Sequence, residues 1–189
     1  MSSSLIQKSS GFSLIELMIG ITVLGISLAL AMPSYRTWIQ NTHIRNAAES
    51  IQSGMRKAHA EAVSRNTSMS FILGAGSSWT VSDSSTDLVI ESSPNGENSG
   101  NISVTSIPAA STTLTLNNLG GVVGNKDGSA TLRLISIDST LLAVTDSRDL
   151  KITVGTGGTC SLDGIGCVGS VIRMCDPNVS APTDPRICQ

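Results

Sequence analysis

The sequence predicts an α+β protein, one long N-terminal helix packed on an antiparallel β-sheet head, and three observations predict it. Residues 12 to 32 form an apolar run whose only charge is Glu16. Beyond Pro33, apolar residues recur at steps of three and four as far as Ala62. From Met69 onward the pattern changes to short alternating runs separated by turn residues. No further helical pattern of length intervenes, so βαβ units and a doubly wound sheet are not expected.

The apolar run comes first. At about 1.5 Å per residue, a helix over 12–32 is about 30 Å long, the thickness of a bilayer core. A buried core helix and a secretory signal peptide are the competing readings. A signal has an apolar stretch of about 7–15 residues followed by a small-residue cleavage site. Here the stretch is longer and continues through Pro33 into more helical sequence, as a retained membrane span does. The face made by Leu14, Leu17, Met18, Ile21, Leu24 and Leu28 is expected to pack on other spans. Gly20 and Gly25 allow close helix approach there, although their spacing is not Gly-x-x-x-Gly.

The second segment, 33–65, keeps the helical period. Ile44, Ala47, Ala48, Ile51, Met55, Ala58 and Ala62 make an apolar stripe, expected to dock a globular head. Arg45/Glu49 and Lys57/Glu61 stand four apart with opposite charge, as on a solvated face. The helix is expected to reach about Ser64, with Pro33 producing a kink or local break rather than an end. His43 and His59 have no Cys or carboxylate at metal-ligand spacing and read as helix-flank residues.

The third segment, 66–189, reads as seven or eight antiparallel strands covering the C-terminal half of the helix. The runs are Met69–Leu73, Trp79–Val81, Leu88–Ile90, Ile102–Ile107, Leu114–Leu116, Thr131–Ile137, Leu150–Val154 and Val168–Met174. Turn signals separate them, among them Gly74-Ala-Gly76, Gly120-Gly121 and Asn125-Lys-Asp-Gly128. The Ser-, Asn- and Gly-rich stretch from Ser77 to Gly100 is the expected mobile loop region.

The entrance to the apolar run is distinctive. A carboxylate at the centre of a span costs about 2.5–3.5 kcal/mol on insertion scales, and less near the end. Gly11-Phe12-Ser13-Leu14-Ile15-Glu16 resembles the processing site of type IV prepilins and of type II secretion pseudopilins. The resemblance implies a leader of residues 1–11, cut by a prepilin peptidase between Gly11 and Phe12. It also implies N-methylation of Phe12 and places Glu16 fifth in the mature chain. The family's basic residue just before the glycine is represented only by Lys8, three positions upstream. In the membrane, the new α-amino group of one subunit and the Glu16 carboxylate of a neighbour would pair in a low-dielectric setting. That pairing relieves the burial cost of both and registers one subunit against the next.

The head resembles the minor pilin group that includes FimU, FimT and the pseudopilin GspH. The long helix, the β-only head and a Gly-rich hairpin leading into Val171-Ile-Arg-Met-Cys-Asp176 carry that resemblance. It implies a single-pass protein of the bacterial inner membrane with its head in the periplasm. The implied partners are the prepilin peptidase, other minor pilins with the major pilin or pseudopilins, and an inner-membrane assembly platform.

Cys160, Cys167, Cys175 and Cys188 all lie in the last thirty residues. In an exported head they suggest two disulfides, whereas the close C-x(2–4)-C pairs of zinc sites are missing. Four cysteines allow three connectivities. A hairpin with equal offsets sets residue 160 opposite 167 and 152 opposite 175, which favours Cys160–Cys167 with Cys175–Cys188.

Composition removes other classes. The net charge is −2, the sequence pI about 5.6 and aromatic residues only 3%. That leaves neither a basic patch nor a base-stacking surface for nucleic acid. Catalytic and nucleotide motifs such as G-x-S-x-G, H-E-x-x-H and G-x-x-x-x-G-K-[ST] are missing from the sequence. Asp83/Asp87 and Asp146/Asp149 lie in polar turn sequence, and Gly155-Thr-Gly-Gly158 has no following helix. No enzyme, metal or cofactor is expected. Three functions remain: a minor pilin that initiates or caps a type IV pilus, with a role in twitching motility; a GspH-like pseudopilin of a type II secretion system; and a DNA-uptake competence pilin.

Overall fold

The computed structural model describes residues 12–94, 101–143, 145–155, 171–181 and 183–188. The chain divides into two compact units, Met1–Arg36 and Thr37–Gln189. Helix α1, Leu14–Arg65, runs through Pro33 without ending. It stops at Asn66, whose φ of 54° is left-handed. There Thr67 N–H bonds Ala62 O at 3.2 Å and Asn66 N–H bonds Val63 O at 3.4 Å. These are the two bonds of a Schellman closure, with asparagine where glycine is commonest.

In the second unit, all seven residues of the predicted stripe are buried, joined by Gln52 and Gly54. The predicted i, i+4 pairs form on the opposite side, Arg45–Glu49 at 3.9 Å and Lys57–Glu61 at 3.4 Å. Lys57 also reaches Glu91 at 3.5 Å.

Nine strands occur among the described residues. They are β1 (Met69–Leu73), β2 (Trp79–Asp83), β3 (Val89–Ser93), β4 (Ile102–Ile107), β5 (Thr113–Leu116), β6 (Val122–Val123), β7 (Leu134–Ser139), β8 (Leu150–Gly155) and β9 (Val171–Cys175). They make two sheets, β3-β2-β1-β5-β6 and β4-β7-β8-β9. Every strand pair is antiparallel. One core joins the helix stripe to Phe71, Val81, Leu114, Leu116, Leu132, Ile135, Ile137 and Ile152, residues drawn from both sheets. Burying each such side chain contributes about 1.5–3 kcal/mol.

Four expectations need correcting. Of the loop region expected from Ser77 to Gly100, the described part, 77–94, is mostly β2 and β3, both among the expected strands. The run 131–137 is not one strand. Leu132 N–H bonds Thr113 O of the first sheet at 2.9 Å, whereas Leu134–Ser139 pairs with β4 and β8 of the second. β6 has only two residues, too few for alternation to reveal. Finally, β8 and β9 pair Lys151 with Cys175 and Ile152 with Met174, one residue away from the expected 152–175 register. This register sets Ile152 opposite Met174 and Val154 opposite Ile172, all four against the core. Because strand faces alternate, matching the apolar faces decides between registers one residue apart.

Two glycines hold the helix against the first sheet. A Cβ on Gly54 would lie 2.5–2.8 Å from three atoms of the Trp79 ring. That ring is fixed by stacking on Phe71 at 6.2 Å between centroids and by its Nε1–H, which donates to Ser50 Oγ at 3.0 Å. Gly120, with φ +75°, makes the β5–β6 turn, and a Cβ there would collide with the His59 imidazole. His59 therefore packs against a turn, in keeping with a helix-flank role.

A prediction follows for Gly54→Ala. In an open helix, alanine would gain about 1 kcal/mol over glycine. Here overpacking costs about 1–3 kcal/mol, so the sign reverses. Thermal unfolding of the detergent-solubilised chain should show a loss of a few degrees, relieved when Trp79→Leu is added. An unchanged or raised Tm would refute the close contact.

Candidate assembly segment

The described chain begins at Phe12, 84% exposed, followed by Ser13 ahead of the helix. Leu17 N–H bonds Ser13 O at 3.1 Å, the first bond of α1. Ser13-x-x-Glu16 has the spacing of a capping box, in which each side chain can satisfy the other's backbone N–H. Glu16 lies in the first turn, where the positive end of the helix dipole favours an anion. The Ser-x-x-Glu spacing is readable in the sequence as a helix-start signal.

From Leu14 to Arg36 every residue is exposed. The expected packing face is open: Leu14 is 77% exposed and Leu28 59%. So are Ile15, Ile19, Val23, Ile26 and Leu30, so the segment is apolar all round rather than on one stripe. A helix of that kind belongs in a membrane or among other helices. Two of its hydroxyls are satisfied within the helix, Thr22 Oγ1 donating to Ile19 O and Ser27 Oγ to Val23 O, both at 2.8 Å. Such bonds remove the cost of carrying a bare donor into lipid. At Gly20 and Gly25 an added Cβ would meet nothing within 4 Å in this chain, leaving room for a closely packed neighbour.

Of the other predicted site residues, Gly11, Cys160 and Cys167 lie outside the described residues, as does the hairpin loop 161–166. Cys175 and Cys188 are joined, with a Cα–Cα distance of 5.0 Å across 13 residues. The bond closes the C-terminal loop, beside the Asp176–Ile187 bridge.

The carboxylates weighed as pairs serve turns instead. Asp83 accepts bonds from Ser85 Oγ at 2.6 Å and from the Ser85 and Thr86 N–H groups. Those bonds lower its pKa to about 2. Asp87 lies 3.9 Å from Lys126. Among the described residues no group of His, Cys, Asp and Glu is placed to hold a metal ion. A depression of about 270 Å³ is lined by Arg56, His59, Val171 and Ile172, none of which forms a nucleophile–base pair there.

The close carboxylate pair is one the sequence did not suggest. Extending the Ile137–Leu150 register by one step sets Asp138 opposite Asp149. Burial and the facing Asp149 raise the Asp138 pKa, against Ser136 Oγ at 3.4 Å and the Lys151 charge. Asp149 itself accepts from Ser147 Oγ at 2.6 Å. A raised folded pKa means a stability contribution present below the ordinary value of 3.8 and lost as pH rises through the folded value. Asp138→Asn should therefore stabilise the chain at pH 7 by up to about 1 kcal/mol, the scale of one cross-strand pair. The gain should vanish below about pH 3.8. Thermal melts at pH 7 and pH 3.5 would test this, and a gain of equal size at both would refute it.

Comparison with known proteins places these features. No curated protein sequence matches the chain. Two crystal forms of the type IV minor pilin FimU from Pseudomonas aeruginosa are similar in structure. The form in space group P21 has a TM-score of 0.44 at 17% identity, covering 61% of this chain and 86% of FimU. The P65 form has a TM-score of 0.41 at 15% identity, covering 58% and 85%. Two family models match: the prokaryotic N-terminal methylation motif over residues 6–32 and the type II transport protein GspH over residues 47–158. Since the second of these spans well over half of the chain, this protein belongs to the GspH family, a family of structural pilin-like subunits, here preceded by an N-terminal methylation motif.

Proposed function

We propose that this chain is a minor pilin, a structural subunit that helps to initiate or cap a type IV pilus. It has no catalytic role in this reading. One observation carries it: the first part of α1, from Leu14 to Met32, is exposed and apolar all round, with its single carboxylate in the first turn. Alone in a bilayer, that carboxylate is a cost, and it becomes useful only beside a neighbour's α-amino group. Processing after Gly11 by a prepilin peptidase creates that amino group on Phe12. The unassembled subunit then waits in the inner membrane with residues 66–189 in the periplasm, until the assembly platform feeds it among other pilins. With Cys175 and Cys188 joined, Cys160 and Cys167 are the two cysteines left to form a second disulfide in an oxidising periplasm.

The GspH family match favours one second reading, a minor pseudopilin of a type II secretion machine. A role in DNA uptake draws no support from a net charge of −2. A deletion strain complemented with the tagged full chain tests the proposal. Minor pilin function predicts loss of surface pili on deletion, with protein export intact and the tagged chain recovered at low ratio in sheared fibres. Normal piliation with failed export of a secreted enzyme would overturn it in favour of the pseudopilin.

A further inference from the structure

The chain has five aromatic residues, Phe12, Tyr35, Trp38, Phe71 and Trp79. Phe71 and Trp79 are buried in the head core. In the first unit the aromatics stand at the two ends of the apolar segment, Phe12 84% exposed and Tyr35 60% exposed. Between Glu16 and Arg36 there is no charge at all. At about 1.5 Å per residue, Phe12 and Tyr35 are about 35 Å apart. That exceeds a hydrocarbon core of about 30 Å and falls short of the 40–45 Å that includes both headgroup layers. When one ring lies at one membrane surface, the other reaches the opposite headgroup layer.

Side-chain direction strengthens the placement. Side chains on a helix lean toward its N-terminus, so those of residues 35 and 36 lie back over the turn that ends the apolar run. Arg36 shows this directly, with Nη2 3.7 Å from Met32 Sδ. An amphipathic ring and a long-stemmed cation at such a boundary suit lipid headgroups: the ring spans the apolar–polar border while the guanidinium meets phosphate.

We propose that Tyr35 and Arg36 form an interfacial anchor that grips the phospholipid headgroup layer on the side where the head lies. The inference rests on reading residues 12–32 as a membrane span. The anchor sets the height at which an unassembled subunit is held and must be released when the helix leaves lipid for the fibre. The partner is the lipid surface itself, favoured over a second copy of the chain by continuity with the span and by the cation at its edge.

The test uses the full chain with Tyr35→Trp and Trp38→Phe in vesicles of phosphatidylethanolamine and phosphatidylglycerol, with acyl chains brominated near the headgroup or near the bilayer centre. Trp79, buried in the head, supplies a constant unquenched background. The indole at position 35 should be quenched at least twofold more by shallow bromines than by deep ones. Arg36→Gln in the same background should bring that ratio toward one. A chain that resists carbonate extraction yet shows no quenching would overturn the anchor alone and point to cover by a second copy. Stronger quenching by deep bromines would also overturn it, as would a ratio that Arg36→Gln leaves unchanged. A chain released by carbonate would overturn the span reading and the anchor together.

Discussion

Gly11→Ala should leave the chain as an unprocessed precursor in the membrane fraction, 11 residues longer at its N-terminus than the mature form and with no methylated Phe12. The effect should be large, because the proposed cut falls directly after this residue. Insertion should be unaffected, since the apolar segment from Phe12 to Met32 is unchanged and a small polar leader adds nothing that lipid must exclude. Intact mass of the membrane form decides the matter. In the parent chain the mass should correspond to a start at Phe12 with one added methyl group. A mature start anywhere beyond Met32 would refute both the processing site and the retained span.

The other large effect is expected at Glu16. Glu16→Ala should insert, be cleaved and be methylated as the parent is, and then fail to enter fibres. Removing one partner of a buried ion pair costs about 3–5 kcal/mol, because the other charge is left without compensation. About two to nearly four powers of ten in subunit association follow from that range. Glu16→Gln keeps the shape and a hydrogen-bond acceptor but loses the charge, so it should restore little. Glu16→Asp keeps the charge on a shorter stem and should restore part of the assembly. The readout is the ratio of this chain in sheared fibres to that in membranes, with processing measured in the same samples. Fibre entry at parental levels by Glu16→Ala would remove the pairing from the account. A loss of processing would instead assign Glu16 to the peptidase step.

Local sequence carried much of the architecture. The helix stripe was legible residue by residue, from Ile44 to Ala62, because helical neighbours three and four apart share a face whatever they pack against. The bounds of β1 and β4 were legible for a similar reason, as alternation over five or six residues is a local property. The start of the long helix was legible too, with Glu16 in its first turn. In the candidate segment the missing part was the extent of the apolar surface. Sequence reading assigned one face to neighbours, and the structure leaves the whole circumference open.

What the sequence by itself determined, then, is where the chain is helical and, for most strands, where it is extended. Only the tertiary structure decided how the strands divide between two sheets, that the run from Thr131 changes sheets before Leu134, and that Lys151 rather than Ile152 faces Cys175. It alone brought Gly54 to Trp79, Gly120 to His59 and Asp138 opposite Asp149. The physical reason is one of range. Periodicity is imposed by backbone geometry over a few residues. Pairing partners and registers are chosen by matching apolar faces between segments tens of residues apart, and a shift of one residue changes every contact while leaving the local pattern intact.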